Sequence, residues 1–206
     1  MNAERPLPTL NHEKFLRRSF DVARRAHTNG NHPFGCILVD VAGNLLLEVE
    51  NGYLPDRDMT GHAERLLATQ ASKQFDSKFL AGCTVYTSAE PCAMCAGAVY
   101  WAGIGRVVYG LSEHRLKSMT GDHAENPTLD LPCREVFARG QRQVVVAGPA
   151  IEDEAGKVHS RRDIGVFFIP MTGAIQHSPR PAAQAHAASA ASAKAEATPA
   201  ARPTQP

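Results

Sequence analysis

Two short motifs carry residue types able to hold a metal ion and activate water: His62-Ala63-Glu64 and Pro91-Cys92-Ala93-Met94-Cys95. Cys92 and Cys95 are three residues apart, so at ~100° per residue they share one face of a helix. Two thiolates closing on one ion need that spacing. A helix start favours thiolate through its partial positive charge, and Pro91 suits a helix start because a missing N–H costs nothing there. His62 supplies a third donor. An imidazole and two thiolates suit Zn2+, and three protein ligands leave a tetrahedral zinc one open position for water, as catalytic sites do.

Glu64 stands two residues after His62 and projects from another side of the same turn. That is a poor place for a fourth ligand and a good place for a carboxylate beside the water. Charge explains the need: two thiolates already neutralise the +2 of the ion, so it acidifies water less than a zinc held by three neutral histidines. A general base must take the proton and return it later in the reaction. A structural Cys/His site would need a fourth protein ligand, and a redox Cys-x-x-Cys would need neither His62 nor Glu64.

H-x-E followed by P-C-x-x-C is the signature of zinc nucleobase deaminases. The chain resembles the cytidine/deoxycytidylate deaminase superfamily from about Phe15 to Ala147, and the 30-residue step from His62 to Cys92 is similar to the family's. Pro33-Phe34-Gly35 looks like its entry to the first strand. Asn51, eleven residues before His62, sits where the family has a substrate-binding asparagine. The run Tyr86 to Ala102, with Tyr100-Trp101-Ala102 at its end, resembles bacterial guanine deaminases; tRNA adenosine deaminases share Glu90 to Ala98 but usually lack Tyr-Trp-Ala.

The resemblance implies a zinc cofactor, Glu64 as acid–base, and His62, Cys92 and Cys95 as ligands. It implies a small nucleobase or nucleoside substrate, guanine-type first, touched by Pro33, Phe34, Asn51, Ala63 and Glu113, and a homodimer. A tRNA adenosine deaminase, a cytosine or cytidine deaminase and a non-enzymatic zinc module are the alternatives. Asn51 before Gly52 also suits a simple turn. Phe34 reads equally as core or as pocket wall, and Trp101 as core or subunit contact.

The elements that position these residues alternate. Helices are expected over Asn11–Thr28 and His62–Ser72 (capped by Thr60), from Pro91 to about Trp101, over Leu131–Ala138 and from Glu152. Strands are expected over 35–40, 45–50, 84–88, 106–110 and 143–147, with Leu111–Lys117 as a loop. The strand–helix–strand repeat predicts parallel pairing in a three-layer α/β/α fold, a mixed sheet of about five strands with helices on both faces. Residues 1–10 read as a flexible start, 11–171 as the zinc domain, and 172–206, rich in Ala and Pro without aromatic residues, as a disordered tail.

The 206 residues are 43% apolar and 21% charged, with a net charge of +1. The tail beyond Pro170 holds three basic residues and one acidic residue, leaving the rest at about −1, which speaks against nucleic acid as partner. No apolar run approaches the ~20 residues of a membrane span, and no secretory signal opens the chain, so a cytoplasmic address is expected. Five cysteines, an odd number with one Cys-x-x-Cys pair, point to metal or redox chemistry in a reducing compartment; Cys36 and Cys83 read as buried small side chains, and Cys133 as a helix-opening residue without a special role.

Overall fold

The computed structural model describes residues 8–120 and 129–160. The expectations for residues 1–7 and for the tail at 172–206 lie outside them.

Asn11 caps α1 (His12–Thr28) by accepting the Lys14 N–H at 3.0 Å, and Leu16, Phe20, Val22, Ala23 and Ala26 form its buried face. β1 (Gly35–Val39) and β2 (Leu45–Glu50) make an antiparallel hairpin with an irregularity at Leu38/Val39. α2 (Ala63–Gln74) and the short α3 (Ser77–Leu80) lead to β3 (Thr84–Ala89). α4 (Ala93–Ala102) and β4 (Arg106–Leu111) follow, then α5 (Glu113–Thr120), α6 (Cys133–Ala138), β5 (Val145–Ala147) and α7 (Glu152–Val158).

The sheet order is β2-β1-β3-β4-β5. β1 runs antiparallel to β2 and β3, while β3, β4 and β5 are parallel. β1, β3 and β4 are buried along their whole length, as strands covered on both faces must be. One core lies between the sheet and α2, α4 and α6, with Leu38, Leu67, Val85, Val99, Val107 and Phe137. The other lies under α1 and α7, with Phe20, Ile37, Tyr86, Val108 and Val158. Each fully buried aliphatic side chain contributes roughly 1.5–3 kcal/mol. The architecture is the expected three-layer α/β/α fold.

Four local expectations are corrected. Thr60 does not cap α2: its hydroxyl donates to Asp58 at 2.6 Å, and His62 holds the N-cap position without a side-chain cap bond. α4 begins after Cys92, so Pro91 precedes the helix rather than opening it. The segment read as a loop after β4 is α5. Trp101 is 85% exposed and therefore not core.

Topology gathers the candidate residues at one end. The C-terminal ends of β2, β3 and β4 lie beside the start of β1, as Gly35↔Glu50, Cys36↔Thr87 and Ala89↔Leu111 pair there. Gly35 lets α1 cross directly over that edge, since a Cβ there would meet the Ala23 backbone nitrogen at 2.4 Å. Among the described residues no helix is long and apolar enough to cross a membrane.

Candidate active site

His62 and Cys92 are the N-caps of α2 and α4, both in extended backbone conformation, so two helix starts converge. His62 Nδ1 lies 3.6 Å from Cys92 Sγ and 3.5 Å from Cys95 Sγ. Zn–S bonds of about 2.3 Å and Zn–N bonds of about 2.0–2.1 Å at tetrahedral angles place nitrogen and sulfur about 3.5 Å apart. The donor set therefore fits a zinc ion without rearrangement, and these three residues are the metal-binding group found among the described residues. The Cys92 thiol is pushed down to about 4, first by its hydrogen bond with Cys95 and then by His62, while Cys95, buried beside it, is pushed up. A metal ion takes both sulfurs as thiolates, so binding releases any proton they carry.

The loop before His62 is pinched shut. Gly52 N–H donates to Gly61 C=O at 2.8 Å, and a Cβ on Gly61 would meet Gly52 O at 2.7 Å. That close approach sets His62 beside Asn51. Asn51 is 5% exposed, and its Oδ1 accepts the Tyr53 N–H at 3.1 Å. The turn reading of Asn51 is realised, and it fixes the amide orientation: with the oxygen engaged, the NH2 is left as the donor. Asn51 N–H also donates to Phe34 C=O at 2.9 Å, which joins two of the candidate substrate residues.

Glu64 is 5% exposed in the first turn of α2, and burial raises its carboxyl above the usual range. The Thr87 hydroxyl, from β3, donates to it. Ala63 is buried, and as the first helical residue its N–H has no acceptor within α2. Pro33 is buried and Phe34 half-buried. Glu113 opens α5 partly buried, and its carboxyl is pushed up to about 7, first by burial and then by Cys92 and Glu90. The candidate metal, catalytic and substrate residues singled out in the sequence thus lie towards one end of the sheet, whereas Trp101 and Cys83 do not.

Thr87, Glu90 and His159 were not singled out there. A Thr in a fully buried strand was the available signal for the first. His159 is 1% exposed at the end of α7, with its ring 5.0 Å from that of Phe34. Among the described residues neither ring nitrogen has a hydrogen-bond partner. The Ser88 backbone lies close enough to favour the charged form, yet no bond of normal geometry forms, and burial holds the imidazole down at about 4. The folded value lies below the unfolded one of 6.5, so this contribution to stability is complete above pH 6.5 and is lost as pH falls through 4. Between pH 7 and pH 5 the loss is about 2 kcal/mol. Urea midpoints of wild type and His159→Phe at the two pH values measure it, and the variant should lose correspondingly less on acidification.

A buried carboxylate over an imidazole–dithiolate metal cluster defines a zinc hydrolytic site, and known proteins agree. Residues 9–111 match the cytidine and deoxycytidylate deaminase zinc-binding region. The chain belongs to this family and is a zinc-dependent hydrolytic deaminase. It is 41% identical over 141 residues to a probable cytosine deaminase of Schizosaccharomyces pombe, covering 68% of this chain and 85% of that protein. It is 33% identical over 125 residues to a tRNA-specific adenosine deaminase of Haemophilus influenzae, covering 58% and 72%. It is 39% identical over 106 residues to a guanine deaminase of Bacillus subtilis, covering 51% and 67%.

Proposed function

We propose that the protein deaminates a small free nucleobase, guanine first, with Glu64 carrying the protons and His62, Cys92 and Cys95 holding zinc. The observation that carries this reading is the buried Glu64 carboxyl, steadied by Thr87, within electrostatic reach of His62 and Cys92. When bound, zinc supplies a Lewis acid that makes water a better nucleophile. Glu64 takes a proton as the water oxygen bonds to the amine-bearing ring carbon. It delivers that proton to the ring nitrogen and then moves the proton of the added hydroxyl to the amine, the C–N bond breaks, and ammonia departs to leave a carbonyl on the ring. A carboxyl raised by burial suits a group that must both accept and donate near neutral pH.

The Asn51 amide N–H2 donates and Glu113 accepts. Together they suit an O=C–N–H edge, which guanine presents at O6 and N1. Phe34 supplies an apolar face for the ring, as in sites that stack a base. The resemblance of the run Tyr86 to Ala102 to guanine deaminases, together with the 39% identity to the Bacillus subtilis enzyme, favours guanine. Cytosine is the second reading, favoured by the longer similarity to the S. pombe protein. Free cytosine keeps an N–H beside its carbonyl, and cytidine does not. The near-neutral charge of residues 1–170 speaks against a tRNA substrate, and the free thiols suit a reducing, cytosolic compartment.

Ammonia release from guanine, guanosine, adenine, cytosine, cytidine, isoguanine, ammeline and a tRNA anticodon stem-loop tests this. Turnover of guanine with an idle stem-loop is expected. Turnover of cytosine but not guanine selects the second reading, and turnover of the stem-loop alone overturns both.

The protein is also proposed to be a homodimer through α4. This helix has no charged residue in its first or last turn, and Met94, Gly97, Ala98 and Trp101 line one face of it, with open space around Gly97. Large, small, small, large reads the same in reverse, so two copies packed antiparallel set each tryptophan against the other's methionine. Trp101→Glu should convert a dimer to a monomer in sedimentation; a monomeric wild type, or a variant that stays dimeric, rejects this.

A further inference from the structure

We propose that Glu90 is a positioning residue that docks the start of α5, and with it Glu113, onto the loop carrying the metal ligands. The inference rests on Glu113 touching substrate, as read above. Glu90 joins the end of β3 to Pro91-Cys92, and its own N–H donates to Leu111 C=O at 2.8 Å, at the end of the parallel strand β4. Its side chain is 9% exposed. One carboxylate oxygen accepts the Glu113 N–H at 3.1 Å and the other accepts the Cys133 N–H at 3.0 Å.

Those are the first residues of α5 and α6, and the N–H groups of a first turn have no acceptor in their own helix. A buried anion there answers two such donors at once and opposes the positive ends of both helices. No residue of α5 is fully buried, so core packing alone does not fix its first turn. Ser112 anchors it to α7 through Glu152, at 2.6 Å, and Glu90 anchors it to the metal loop. One side chain thus fixes the placement of Glu113 relative to Cys92. Its loss should weaken substrate binding more than it slows the chemistry, because Glu64 and His62 stand on α2, and Glu90 touches Glu113 and Cys133 rather than the ligands.

The test compares zinc-loaded full-length Glu90→Gln, Glu113→Gln and the double variant. Glutamine keeps the shape but turns an NH2 toward one of the two N–H groups. Glu90→Gln should raise KM about 10-fold with kcat changed less than about 2-fold, zinc content unchanged, and faster hydrogen exchange at the starts of α5 and α6. The double variant should be no worse than Glu113→Gln alone, because the two side chains act in series. Unchanged exchange, a loss in kcat alone, or full additivity with an effective Glu113→Gln overturns the role of Glu90. A silent Glu113→Gln beside an impaired Glu90→Gln overturns it too, and it locates the error in the substrate role of Glu113.

Discussion

Replacement of Glu64 by alanine is expected to leave about one zinc per chain and to lower turnover at least ~100-fold, the scale on which general acid–base groups contribute. The two outcomes separate because Glu64 is not in the donor set: the residues placed to hold the ion are His62, through Nδ1, and the two sulfurs. Glu64 touches Thr87 instead. Removing the carboxyl leaves the Thr87 hydroxyl without its acceptor and the reaction without a proton carrier. Glu64→Gln keeps the hydrogen bond and the volume while abolishing the base, so it should be as inactive as alanine with less loss of stability. Metal analysis alongside ammonia release checks both variants. Loss of zinc in Glu64→Gln, or turnover within a few-fold of wild type, would contradict the assignment.

His62→Ala, Cys92→Ala and Cys95→Ala should each lose zinc and activity together. Two remaining donors cannot close a tetrahedral site, and both sulfurs must be deprotonated to act as ligands, so zinc affinity should fall with pH as well as with loss of a donor. The alanine variants remove a ligand without removing a large side chain, so the fold should survive. Zinc content by elemental analysis should fall from one per chain to background, with circular dichroism little changed. A ligand variant that retains zinc stoichiometrically would point to a different donor set.

Much of the site was legible because its chemistry is written in residue type and short spacing. Cys92 and Cys95 three apart, and Glu64 two after His62, need no tertiary knowledge. The strands were legible from apolar runs closed by turns, and the parallel half of the sheet from the helices between them. What escaped depends on contacts distant in sequence. α5 has no fully buried residue, hence no apolar stripe to read, and its first N–H is answered by Glu90, 23 residues away. Thr60 looked like a cap, but Asp58 takes its hydroxyl, and His62 occupies the cap position because a ligand pointing off the helix needs extended backbone. The isolation of His159 follows from burial alone, and nothing in the local sequence announces it. Trp101 showed the opposite ambiguity: a large apolar residue at the end of an apolar helix, which only the structure places in water.

The two helices that start at the ligands have no conventional caps: neither His62 nor Cys92 makes a side-chain cap hydrogen bond, and the Cys92 sulfur is engaged with the Cys95 thiol instead. Where serine or aspartate would ordinarily close such an end, zinc is the tie between them. Scarcity of the metal should therefore loosen the catalytic mouth before the body of the domain. In chelator-treated protein, proteases should nick near residues 60 and 92 well below the melting temperature, making sensitivity to cleavage a direct gauge of how much of the enzyme is charged with its ion.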